Sequence, residues 1–257
     1  MEDAIKAFDA YVHTFAFEDP LIRLKYDHTF GVVKMSTYLC QAMNLDDATT
    51  RLAQWIALLH DIGRFEQVRV QHNFYDHEQM DHAEYGVKLL FEEGMIRRFV
   101  KDPQYDACIR FAIGNHSRYR IADCQDEAML LQAKLIRDSD KLDNFLVKLQ
   151  TPWEVLWIGK EPIDASTISE DVFQQFMRHE CIALRTRKTT LDMLVSNLAF
   201  IFDIYFYPSL LWLQQEQVFE KLLAFVHPQD ALVKQQLAII KQEGVTYIQE
   251  ALKNHVL

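Results

Sequence analysis

Apolar residues recur at three- to four-residue intervals over most of this chain, so the pattern predicts helices from one end to the other. Residues 3–17 form an amphipathic opening that ends at Glu18-Asp19-Pro20, where a proline at an early helical position suits the start of the next helix. That second helix runs to about Met43 with Leu24, His28, Val32, Met35 and Leu39 on one face. Asn44-Leu45-Asp46-Asp47 supplies a cap for a third helix, which carries His60-Asp61 at its end. Residues 64–80, polar and rich in histidine, read as a loop. Asp81 then caps a helix bearing His82, and further helices are predicted over about 103–115 and 126–149.

The texture changes beyond Thr151-Pro152, where residues 151–171 read as a connection with one short element. Helices follow near 170–186, 188–206, 210–225 and 229–254. Leu191, Leu194, Val195, Leu198, Ile201, Phe202 and Tyr205 form a stripe of helical period, read as core packing. The expected organisation is an all-α protein with a helical domain over residues 1–150 and a helical extension over 151–257, packed on it. No repeat or low-complexity tract interrupts it.

Composition narrows the class without naming a function. Hydrophobic residues at 49% against 25% charged give an ordinary globular balance and argue against disorder. With 7 Gly and 6 Pro, the turns that a β-sandwich demands are scarce. Cys40, Cys108, Cys124 and Cys181 form no CxxC pair and read as reduced thiols. The start Met1-Glu2-Asp3 is acidic where a signal peptide is basic, and the greasiest stretch, residues 198–208, is broken by Asp203 and Pro208. Cytoplasm is the expected compartment, with no membrane association. A net charge of −10 disfavours a nucleic-acid polymer as partner.

The chemistry is concentrated in His60-Asp61, which ends the apolar run Trp55-Ile56-Ala57-Leu58-Leu59. An isolated pair of this kind reads as an ordinary helix end. Here His28, His82, His116 and Asp140 lie at helix-compatible positions on either side, so the ordered set runs H…HD…H…H…D over five predicted helices. Imidazole nitrogen and carboxylate oxygen together suit Fe, Mn, Ni, Co or Zn.

That order resembles the HD-domain metalloprotein superfamily over roughly residues 20–150, and "ALLHDIGRF", "DHAEYG" and "LIRDSDKLD" are similar to the strings around its metal ligands. The four-ligand form of the family has only H…HD…D; the additional His82 and His116 fit the six-ligand, dinuclear form. The resemblance implies an HD-domain helical bundle holding two divalent metal ions. His28, His60, Asp61 and Asp140 would hold one ion, His82 and His116 the second, with Asp61 bridging. Such a pair, roughly 3.5–4 Å apart, is suited to clamping both oxygens of a displacement at phosphorus.

Cations beside these ligands point the same way. Arg64 stands one turn beyond Asp61, where HD proteins often carry Lys or Arg; Lys141 adjoins Asp140, and Arg118 and Arg120 follow His116. Arginine grips phosphate oxygens as a fork and lysine as a point charge, so a small phosphorylated substrate is expected. Arg64, Arg118 and Lys141 are the expected substrate ligands, and Asp61 and Arg64 the catalytic pair. Asp138, Glu84 and His77 are candidates to orient the ligand histidines. His13, His72, His179, His227 and His255 read as surface or packing residues.

The leading expectation is a metal-dependent phosphohydrolase acting on a nucleotide-like mono- or diester. A mixed-valent diiron oxygenase, resembling myo-inositol oxygenase and the phosphonate-cleaving oxygenases, uses the same six-ligand pattern, so the fold alone does not decide. A degenerate sensing or scaffolding module is a third class, disfavoured by the complete ligand set. No Gly-Tyr-Pro follows His60-Asp61, which sets aside the cyclic-di-GMP phosphodiesterases named for that signature.

Overall fold

A computed structural model describes residues 1–74, 76, 81–152, 156 and 161–254. The expectations for His77 and His255, and for part of the connecting stretch, lie outside them. The described residues are helical, with no strand among them. They divide into two compact units, Met1–Asp143 and Asn144–Leu257.

In the first unit α1 (Glu2–Val12) buries Ala4, Phe8, Tyr11 and Val12, a stripe at helical spacing. The second helix, α2 (Pro20–Ala42), begins as its sequence suggests: the Asp19 carboxylate accepts from the Leu21 amide at 2.8 Å, and Pro20 needs no donor there. It ends at Asn44, whose positive φ of 53° closes the helix. Asp46 then caps α3 (Asp47–Leu59) through the Thr49 amide.

Asp61 breaks the helical path with φ −105° and ψ 18°, so α4 (Ile62–Gln71) starts afresh just beyond His60-Asp61. The stretch expected as loop from residue 64 is therefore helical to Gln71. Its reason is visible in hindsight: Ile62, Phe65 and Val68 recur every three residues and are buried. Next come α5 (His82–Val87), capped by Asp81 and continued by a π turn over Lys88–Glu92, then α6 (Ile96–Phe99) and α7 (Asp106–Asn115). The long α8 (Glu127–Gln150) carries Asp140.

Helix α2 packs on α3, α4 on α5, and α7 on both α3 and α5. The core between them holds Phe8, Ile56, Leu58, Leu59, Ile62 and Phe65, with the Phe65 ring 5.7 Å from Phe8. Helix α8 is tied in by polar bonds: Gln132 donates to the Thr49 carbonyl, and Arg137 to carbonyls at the end of α7.

In the second unit the expected helices are broken into shorter pieces. The one expected over 170–186 stops at Met177 (α9, Glu170–Met177), and His179 follows with φ 58°. That over 188–206 is α10 (Thr190–Leu198) followed by a 3-10 stretch, Ala199–Asp203. The one over 210–225 is split into α11 (Tyr207–Gln215) and α12 (Val218–Leu223) by Gln217 at φ 51°. The last, α13 (Ala231–Asn254), packs against α9, α11 and α12. Leu191, Leu194, Val195, Leu198 and Ile201 are fully buried, while Phe202 and Tyr205 are partly exposed. No helix among the described residues is long and apolar enough to cross a membrane.

Candidate metal centre

Five segments bring His28, His60, Asp61, His82, His116 and Asp140 to one place in the first unit. His28 comes from α2, His60-Asp61 from the break between α3 and α4, and His82 from the start of α5. His116 follows α7, and Asp140 lies on α8. Two groups of potential ligands result, His28-His60-Asp61 and Asp61-His82-His116, with the ligand atoms of each within 4.8 Å of one another.

Asp61 belongs to both groups, and its two oxygens face opposite ways. Oδ2 lies 3.8 Å from His28 Nε2 and 3.5 Å from His60 Nε2. Oδ1 lies 3.2 Å from His82 Nε2 and 3.5 Å from His116 Nε2. Asp140 joins the first side, with Oδ1 3.0 Å from His28 Nε2 and 3.8 Å from His60 Nε2.

Each histidine is held by its outer nitrogen. His60 Nδ1 donates to the Ala57 carbonyl at 2.8 Å and His116 Nδ1 to the Ile113 carbonyl at 2.7 Å. His28 Nδ1 donates to Asp143 at 2.7 Å, and His82 Nδ1 lies 2.9 Å from both oxygens of Asp76. Carbonyl and carboxylate oxygens only accept, so in each neutral ring the proton sits on Nδ1 and the Nε2 lone pair points inward. His28 Nε2 and His60 Nε2 are buried without a hydrogen-bond partner, and His82 Nε2 and His116 Nε2 face each other at 3.0 Å. Four converging lone pairs and two carboxylates are a poor arrangement by themselves and a good donor set for divalent cations.

At His60, Asp61 and Asp140 the charge states favour the same use. Burial pushes the His60 imidazole down to about 4, against the pull of Asp61 and Asp140, so it is neutral at neutral pH. Burial also raises Asp61, but the Lys25 ammonium and the surrounding imidazoles outweigh it and hold the carboxyl well below its usual range. Asp140 is held low by His28 and His60 despite its burial. For His28, burial and Lys25 act downward, and the carboxylates of Asp140 and Asp143 more than offset them.

The partners that orient the rings differ from those expected. Asp143 and Asp76, rather than Asp138 and Glu84, receive the two carboxylate-bound Nδ1 protons; Glu84 stands on the surface 3.8 Å from Arg118. Asp143 follows Asp140 by one turn of α8, a spacing that could have marked it. Gly31 makes room for it, since a Cβ there would lie 1.9 Å from the Asp143 carboxylate. Asp76 sits in a polar stretch with no periodicity, and nothing in the local sequence distinguishes it. Arg137 was also missed: buried on α8, it donates to the Asn115, His116 and Arg118 carbonyls and so fixes the turn that presents His116.

Arg64 is near the centre but turned away from open space. Its Nη1 donates to Gln67, the Phe74 carbonyl and Asp76, and its Nη2 to Asp76 at 3.1 Å, while Nε lies 3.6 Å from Asp61. The fork expected to grip phosphate is closed on the carboxylate that holds His82. Arg118 is half exposed, and Lys141 is buried and engaged. The cation in contact with the ligand set is instead Lys25, whose Nζ lies 2.6 Å from Asp61 Oδ2.

This arrangement makes Arg64→Met informative. Loosening Asp76 should weaken metal at the His82-His116 side by about 10- to 100-fold, the usual effect of losing an outer partner, and leave the His28-His60 side alone. A metal titration checks this; unchanged affinity at both sides with lower turnover would return Arg64 to phosphate binding.

The family model of the HD domain matches residues 26–144, a stretch that holds all six residues. The match covers just under half of the chain, and the buried histidine-aspartate cluster within it is compatible with a metal site of the HD type. No curated protein and no solved structure matches the chain.

Proposed function

We propose that this chain is a phosphohydrolase of a small phosphorylated, nucleotide-like substrate, with two divalent ions held by His28, His60, Asp61 and Asp140 on one side and Asp61, His82 and His116 on the other. The observation that carries the reading is the shared carboxylate: Asp61 offers one oxygen to each group of imidazole lone pairs. Divalent ions held there supply Lewis acidity toward phosphate oxygens and lower the pKa of water. The chain's own part is to fix the donors. Asp143, Asp76 and two backbone carbonyls lock the tautomers, and the burial of the four histidines keeps competing water away from their inner nitrogens. A cytoplasmic location fits the four cysteines, none of which forms a disulfide among the described residues.

Mixed-valent diiron oxygenation is supported by one feature of the same centre, its all-nitrogen-and-oxygen donor set, which suits iron as well as manganese. The Lys25 ammonium against the bridging carboxylate favours an anionic substrate over a neutral polyol, and an anaerobic assay separates hydrolysis from oxygenation. Turnover of a panel of phosphomonoesters and phosphodiesters with Mn²⁺ under strict anaerobiosis is the expected result. Inactivity on every member, together with O₂ consumption by iron-loaded protein, would replace hydrolysis with oxygenation.

A further inference from the structure

The geometry points to Lys25 as the residue that receives the phosphate of the substrate. The inference rests on the phosphohydrolase reading and adds to it a contact on the His28-His60 side of Asp61. Lys25 stands on α2 one turn before His28, so the helix that places a ligand also places the ammonium. Its Nζ lies 2.6 Å from Asp61 Oδ2 and 5.2 Å from the centre of the Phe74 ring, with the side chain 14% exposed.

An ammonium carries three donors. One goes to Asp61, and the other two meet no acceptor among the described residues. The neighbouring cations are placed differently: Arg64 leaves its Nε without a hydrogen-bond partner, but that atom is buried 3.6 Å from Asp61 Oδ1. Both terminal nitrogens of Arg64 are on Asp76 and its surroundings, and Arg118 stands out at the surface near Glu84. Lys25 thus stands at the ligand set with two donors that meet no acceptor among the described residues.

Charge gives the substrate class. Asp61, Asp76, Asp140 and Asp143 hold four negative charges against the histidines or beside them, which two divalent ions would balance. Arg64 and Lys25 are then in excess, and a phosphoryl dianion matches that excess where a neutral polyol does not.

A purely structural role for Lys25 predicts effects of the opposite sign. As a strut for Asp61, its removal would loosen a ligand and weaken metal binding. As a substrate contact, it is a positive charge tolerated beside a metal ligand, so its removal should leave metal affinity unchanged or raise it up to about tenfold. The loss should fall on the anion, since a charge-assisted hydrogen bond of this kind is worth about 10- to 100-fold in affinity.

The test is calorimetric titration of the Mn²⁺-loaded full chain with inorganic phosphate, for wild type, Lys25→Met and Lys25→Arg, beside Mn²⁺ titration of each apo-protein. Lys25→Met should bind phosphate about 10- to 100-fold more weakly with Mn²⁺ affinity unchanged or higher, and Lys25→Arg should recover most of the phosphate affinity. Phosphate binding indifferent to Lys25→Met, or weakened Mn²⁺ binding in that variant, overturns the inference alone. Metal-loaded wild type that binds no phosphate overturns the phosphohydrolase reading and the role of Lys25 with it. Should Lys25→Met fail to fold, acetylation of metal-loaded wild type by acetic anhydride puts the same question. Phosphate should protect Lys25, and equal labelling with and without phosphate overturns the assignment.

Discussion

Asp61→Ala is expected to strip both ions from the metal centre, whereas His116→Ala should strip one. Among the described residues, Asp61 is the only side chain with oxygens directed at both groups: Oδ2 toward His28 and His60, Oδ1 toward His82 and His116. Without it the second side retains two imidazoles and no carboxylate, short of the three protein ligands that metal sites of this kind use. The first side retains His28, His60 and Asp140, but now faces the Lys25 ammonium without the carboxylate that neutralised it. Loss of His116 leaves that first side intact.

Metal content after exhaustive dialysis reads the outcome, with far-ultraviolet dichroism to show that the helices persist. A second readout is thermal: Mn²⁺ at a hundredfold excess over its dissociation constant should stabilise the wild type by about 2.7 kcal/mol for each ion bound, and Asp61→Ala not at all. Full metal content in Asp61→Ala, with both ions lost from His116→Ala, would place the bridge elsewhere.

Much of this centre could be read from the chain. His60 and Asp61 stand out because they end an apolar helical run, while His28, His82, His116 and Asp140 were legible through their order along the chain and its resemblance to the HD pattern. The helices that carry them announce themselves by caps, as at Asp19, Asp46 and Asp81. What escaped was set by tertiary contact. Asp76 holds His82, and Lys25 reaches Asp61 across 36 positions in sequence, which no local period encodes. Arg64 shows the same limit from the other side. Its position suggested a phosphate fork, but a carboxylate twelve residues away had already closed it.

The broken helices of the second unit failed for a different reason. Sequence punctuation relies on glycine and proline, whereas Gln217 and His179 take the left-handed conformation themselves. For a side chain with a Cβ that conformation is costly and carries no compositional signal, so residues 210–225 looked continuous. Asn44, whose side chain tolerates the same conformation better, was legible as a helix end.

Gly63→Ala is expected to lose the ion on the His82-His116 side, although it adds only a single uncharged methyl group. Gly63 lies in the first turn of α4, two residues beyond Asp61, where α4 meets α5. A Cβ there would sit 2.3 Å from the His82 carbonyl oxygen and 2.9 Å from the Gly86 amide nitrogen. Both are backbone atoms, so no side chain can swing aside, and the two helices must separate by about 1 Å to restore ordinary contact. Metal–ligand distances tolerate only about 0.2 Å. Since His82 is the first residue of α5, that separation carries its imidazole away from Asp61 Oδ1. Alanine is the better helix former by about 1 kcal/mol, but overpacking costs about 1–3 kcal/mol, so a net loss of stability is also expected. Gly86→Ala provides the control in the same helix pair, because its Cβ would meet only Ile62 and the Gly63 nitrogen at 3.4 and 3.5 Å, ordinary contact distances. Metal stoichiometry and denaturant midpoints of the two variants decide the matter. Gly63→Ala with full metal and undiminished stability would mean that the approach of α4 to α5 does not set the position of His82.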